Sequence, residues 1–113
     1  MPPTEMPILA LTVKAAAAIT GRRFVAYDDA MAGVAGEKVM GVAQRNAEIG
    51  DAVAITRLGT AIVETGGVFN RGDAVMTDNQ GRAVVHGGTT EYFAGDALGD
   101  SGGAGEFVEI LLR

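Results

Sequence analysis

The sequence predicts an all-β fold, a compact β-barrel or sandwich of about eight short strands with an extended N-terminal arm. Three observations carry this expectation. Short apolar runs recur between Gly-rich breaks along the 113 residues. Glycine is unusually common, at 17 residues, which disfavours long helices and supplies turns. The string Gly-acid-x-aliphatic occurs five times, each time where an apolar run begins.

Met1–Pro7 contains Pro2, Pro3 and Pro7, which disfavour helix and suit an extended arm, so residues 1–7 are set apart from a single β-domain over 8–113. Strands are expected at Ile8–Val13, Arg23–Tyr27, Val39–Ala43, Ala52–Leu58, Thr60–Glu64, Ala74–Thr77, Arg82–His86 and Phe107–Leu112. Most are rich in Val, Ile or aromatic residues and bounded by Gly, Asp or Asn. Ala15–Ala18 favours helix by propensity, but Gly21 follows closely, so a loop or a single turn is expected there. Asn46–Ile49 reads as another short turn.

The five strings are Gly36-Glu37-Lys38-Val39, Gly50-Asp51-Ala52-Val53, Gly72-Asp73-Ala74-Val75, Gly95-Asp96-Ala97-Leu98 and Gly105-Glu106-Phe107-Val108. The physical reading is a turn that launches a strand. Gly adopts a positive φ, the acid faces water or caps the turn, and the aliphatic residue enters the core. Two copies extend further, with Gly59 nine residues after Gly50 and Gly81 nine after Gly72. Each longer unit is expected to be strand, tight turn, strand; Asp78-Asn79-Gln80-Gly81 has the composition of a hairpin turn. In the last strand, alternation puts Val108, Ile110 and Leu112 on one face and Phe107, Glu109 and Leu111 on the other. A strand apolar on both sides is either central in a sandwich or at a subunit contact. Phe107 and Leu111 are the candidate oligomer contacts.

The composition excludes several functions. The net charge is −5, and the nine Lys and Arg residues are scattered, with only Arg22 and Arg23 adjacent. A nucleic-acid partner would require a clustered positive face, so none is expected. The run from Ile8 to Val13 is too short for a membrane span or the apolar region of a signal peptide, and no membrane partner is expected. There is no cysteine, so neither a disulfide framework nor a thiolate metal site is available.

Little points to catalysis. His86 is the only histidine and Ser101 the only serine. Asp100-Ser101-Gly102-Gly103 superficially resembles a protease nucleophile loop, but a triad would need His86 and an acid in register, so Ser101 reads as part of a flexible turn. Asp28-Asp29, Asp96 and Asp100 match no calcium-loop spacing, and they read as solvated turn acids. No enzyme activity, metal or cofactor is expected. Arg71-Gly72-Asp73 spells an integrin-binding tripeptide, but it falls on one of the repeated strand starts.

The stretch from Ala52 to Leu112 resembles the phage capsid cement, or head decoration, family. The resemblance rests on Leu58-Gly59-Thr60-Ala61-Ile62-Val63-Glu64, on Gly72-Asp73-Ala74-Val75 followed by Asp78-Asn79-Gln80-Gly81-Arg82-Ala83, and on the closing Gly95-Asp96-Ala97-Leu98 and Gly105-Glu106-Phe107-Val108-Glu109-Ile110-Leu111-Leu112. It implies a non-enzymatic all-β structural protein of the bacteriophage head. Such a protein is made in the host cytoplasm and binds the outer surface of the major capsid protein lattice after head expansion, most commonly as a homotrimer. The candidate capsid-binding residues are those of the arm, Pro2, Pro3, Thr4, Glu5, Met6 and Pro7, an extended segment suited to adding a strand to a neighbour's exposed edge. The competing reading is a virion-surface β-domain that binds a carbohydrate or a host-cell ligand. It would require exposed aromatics, and Tyr92-Phe93 is the only adjacent pair. A trimeric β-barrel enzyme would require a convergent polar site, which the sequence does not assemble.

Overall fold

The computed structural model describes residues 7–87 and 92–112; the arm residues Pro2, Pro3, Thr4, Glu5 and Met6 lie outside them. The described residues form ten strands and no helix: β1 (Pro7–Lys14), β2 (Phe24–Ala26), β3 (Val39–Ala43), β4 (Ala52–Glu64), β5 (Val68–Phe69), β6 (Ala74–Thr77), β7 (Ala83–Val85), β8 (Gly95–Ala97), β9 (Ser101–Gly102) and β10 (Phe107–Leu112). Eight of them make one antiparallel sheet in the order β2-β3-β4-β10-β8-β6-β7, with β1 also paired to β4. The sheet nearly closes on itself. Beyond the end of β4, Thr65 bridges to Ala83 in β7, and Gly66 N–H donates to the Ala83 carbonyl at 2.8 Å. The fold is therefore a barrel rather than a sandwich. β5 and β9 form a separate two-stranded ribbon.

The interior follows from alternation. Phe24, Val42, Ala61, Val63, Val75, Ala83, Val108, Ile110 and Leu112 meet in the main core. A second, smaller core forms on the other face of β2 and β3. There Val25 and Ala43 pack with Ala15, Ile19, Ala47, Val53 and Ile55. The loop after β1 covers it. Ile19 and Ala47 exchange two backbone hydrogen bonds, at 2.8 and 2.9 Å, and Ala15 is tied to Gly50 and Asp51. The Ala-rich segment is thus a loop anchored at both ends: Ala15 and Ile19 enter the second core, and Ala16, Ala17 and Ala18 between them are exposed.

One expectation is corrected here. Gly59 does not separate two strands, because β4 runs unbroken for 13 residues. Val53 and Ile55 point into the second core, whereas Ala61 and Val63 point into the main one. A strand of strict period two would keep all four on one face. The reversal occurs at an irregularity in the ladder: Ala10 faces Thr56 but Leu9 faces Leu58, so Arg57 is passed over. Gly59 follows with a φ of 95°. A two-for-one bulge next to a left-handed residue turns the strand over without ending it. Gly59 also partners both Pro7 of β1 and Leu112 of β10.

The Gly-acid turns behave as expected in four of five cases. Gly36, Gly50, Gly72 and Gly105 have φ between 77° and 94°. The turns at Gly50 and Gly72 are built alike. Asp51 N–H donates to the Glu48 carbonyl, and Glu48 N–H donates to the Asp51 carboxylate, both at 3.0 Å. Asp73 and Asn70 repeat this pair at 3.0 and 2.9 Å. The acid is therefore a cap. The fifth case differs: Gly95 already lies inside β8, buried against Leu111.

A substitution series tests the cap. Gly72 has open space where a Cβ would stand, so Gly72→Ala pays only for its backbone conformation, on the order of 1 kcal/mol. Asp73→Ala removes one hydrogen bond from an exposed N–H and should cost about 0.5–1.5 kcal/mol. Denaturant melts of the two variants measure both. A neutral Asp73→Ala would show that the carboxylate only faces water.

Candidate functional site

Cross-strand partners share a face of the sheet. In the β4–β10 ladder, Ala61 and Ile110 face the interior with Val63 and Val108. Their neighbours point outward: Thr60 opposite Leu111, Ile62 opposite Glu109, and Glu64 opposite Phe107. Past the bulge the outer face continues through Leu58 opposite Leu9, then Ile55 opposite Leu11. The second core covers Ile55 completely, but Leu11, Leu9, Leu58, Leu111 and Phe107 are 39 to 50 % exposed. The result is a stripe of large apolar side chains along three strands, open to solvent. At one end, Glu64 is held by Arg23 through a salt bridge of 3.2 Å. Glu109 supplies a carboxylate midway along.

Phe107 and Leu111 are therefore on the outer face, opposite the core residues of their own strand. Pro7, the last residue of the expected arm, is the first residue of β1. Sequence reasoning missed Leu9, Leu11 and Leu58. Leu58 shares the outward parity of Thr60, Ile62 and Glu64, but the register that sets Leu9 and Leu11 beside it runs across the bulge, which is a property of pairing and leaves no local signal.

The other candidate residues take structural places. Ser101, expected in a flexible turn, is buried in β9, with its hydroxyl 2.7 Å from the Gly67 carbonyl and 2.9 Å from that of Gly103. His86 lies edge-on to Phe93, with ring centroids 6.1 Å apart. Asp100 accepts a hydrogen bond from Arg71 N–H at 2.7 Å. Among the described residues, no three His, Cys, Asp or Glu side chains gather as a metal site would require. Asp73 of the Arg-Gly-Asp string is engaged by its own turn.

The chain matches the model of the phage cement protein family over residues 4–112. No curated protein sequence matches it. Among solved structures, it is similar to the N base of head fiber gp8.5 of bacteriophage phi29, at 22% sequence identity and a TM-score of 0.74, with 93% of each chain covered. That similarity extends the barrel to a second head protein. The family match covers nearly the whole length, and the nearly closed barrel agrees with it: the chain belongs to the phage cement protein family and is a structural protein of the phage head.

Proposed function

We propose that this protein binds the outer surface of the major capsid protein lattice and stabilises the expanded head, acting as a homotrimer. The observation that supports this most directly is the uncovered apolar stripe. Solvent-exposed Leu9, Leu11, Leu58, Phe107 and Leu111 form a larger contiguous apolar surface than scattered single residues would, and such surfaces mark contacts with other protein. In this reading the Phe107 and Leu111 end joins copies of the chain, and residues 1–6, ahead of β1, dock onto the capsid as an arm. A shell under outward pressure from packaged DNA gains from many modest joints acting together. The head-fiber base of phi29 has the same fold, which fits a barrel used as a foundation on a head.

The test separates the two contacts. Phe107→Ser/Leu111→Ser changes exposed positions, so folding should be little affected, within roughly 0.5 kcal/mol per site. Light scattering should then report a monomer of 11.5 kDa in place of an oligomer. Removal of residues 1–6 should leave the oligomer and its melting temperature intact but abolish co-sedimentation with expanded heads. A monomeric wild-type protein would refute the trimer, and undiminished co-sedimentation of the truncated protein would refute the docking arm.

A further inference from the structure

The bulge in β4 has a second effect. β3 pairs with β4 only through Val42 and Ala43, and Val39, Met40 and Gly41 instead line a cavity of about 100 Å³. Arg57, the residue passed over in the β1–β4 ladder, lines the same cavity with Lys38, Tyr92 and Phe93, and Ala94 and Leu112 add apolar wall. Bulges commonly re-aim a side chain toward a site, and here the re-aimed side chain is a guanidinium.

The chemistry of this lining is specific. Lys38 Nζ stands 5.5 Å from the centroid of the Tyr27 ring, a cation–π contact that leaves the three N–H donors of the ammonium unused by that ring. Among the described residues, neither Lys38 nor Arg57 is paired with a carboxylate. Two such cations lining one small pocket depart from a chain whose net charge is −5, and an anion is the ligand they fit. Beside them, Tyr92 is 58 % exposed and Phe93 36 %, offering flat apolar faces at the rim.

We propose that this pocket binds a carboxylated sugar, a hexuronate or sialic acid unit of a glycan. Arg57 and Lys38 take the carboxylate, and the pyranose lies against Tyr92. A cavity of this size takes one group. An acidic peptide spreads its affinity over backbone hydrogen bonds and alternating side-chain pockets, and gains little from a single cavity flanked by rings. The pocket lining shares no residue with the apolar stripe, so the assignment does not rest on the capsid contact.

Calorimetric titration of the isolated protein with trigalacturonate, 3′-sialyllactose, maltotriose and hexaglutamate tests it. At least one of the two acidic sugars should bind, more tightly at low salt, and neutral maltotriose roughly tenfold more weakly or not at all. Arg57→Gln and Tyr92→Ala should each weaken the acidic sugar roughly tenfold with melting temperatures unchanged. If Arg57→Gln does not fold, Tyr92→Ala decides alone. The proposal is overturned if neither acidic sugar binds, if maltotriose binds equally well, or if the folded variants bind like the parent. Tighter binding of hexaglutamate than of either sugar also overturns it, in favour of an acidic peptide.

Discussion

Gly95→Ala should strongly destabilise the barrel. Gly95 sits in β8 opposite Leu112, and a Cβ there would collide with the Leu111 carbonyl oxygen, with the carbonyl carbon only 3.0 Å away. Both partners are backbone of paired strands, so neither can turn aside as a side chain would. The strands must separate at the seam where β8 meets β10, and β6 attaches to the barrel through β8. Overpacking of this kind costs about 3 kcal/mol or more, a large share of the roughly 5–15 kcal/mol that stabilises a small domain. Gly103→Ala is the control, since nothing lies within 4 Å of a Cβ there. If Gly95→Ala melts within a few degrees of Gly103→Ala, the seam is looser than the geometry requires.

Phe24→Ala should be the costliest truncation of the core. Phe24 is the largest of the fully buried side chains and belongs to β2, a strand of three residues. Its ring reaches the main core, while its backbone ties β2 to Gly81 at 2.7 Å and to Ala32 at 2.9 Å. Replacing a buried Phe by Ala typically costs about 3–5 kcal/mol, which lowers the melting temperature of a domain this size by roughly 10–20 °C. Tyr27→Ala, at an exposed ring nearby, should lower it by far less. Equal losses at the two positions would mean that the barrel collapses around the missing Phe24 ring.

Much of this fold is legible in the residues, for identifiable reasons. β3, β6 and β10 are short apolar runs that begin just after Gly-acid turns, and there local chemistry decides the outcome. β5, β8 and β9 are two or three residues long and exist through distant partners: Val68 pairs with Gly102 and Gly95 with Leu112. No local pattern encodes such pairing. Gly59 resembled a turn because positive φ is usual in turns, yet here it serves a bulge within a continuous strand. The same distinction governs the site. Phe107 and Leu111 follow from period two along one strand. Leu9, Leu58 and the placing of Arg57 follow from how β1 registers against β4.

The shared partner Gly59 has a practical corollary. The first residue of β1 and the last of β10 meet the same point on β4, so Pro7 and Leu112 are at most about two strand spacings apart, roughly 10 Å. A few added residues would join them, each spanning about 3.3 Å. A circular permutant closed there and reopened at the exposed turn around Ala104 should keep every ladder of the barrel. Topologically, the barrel is close to a ring whose opening could be moved to another turn.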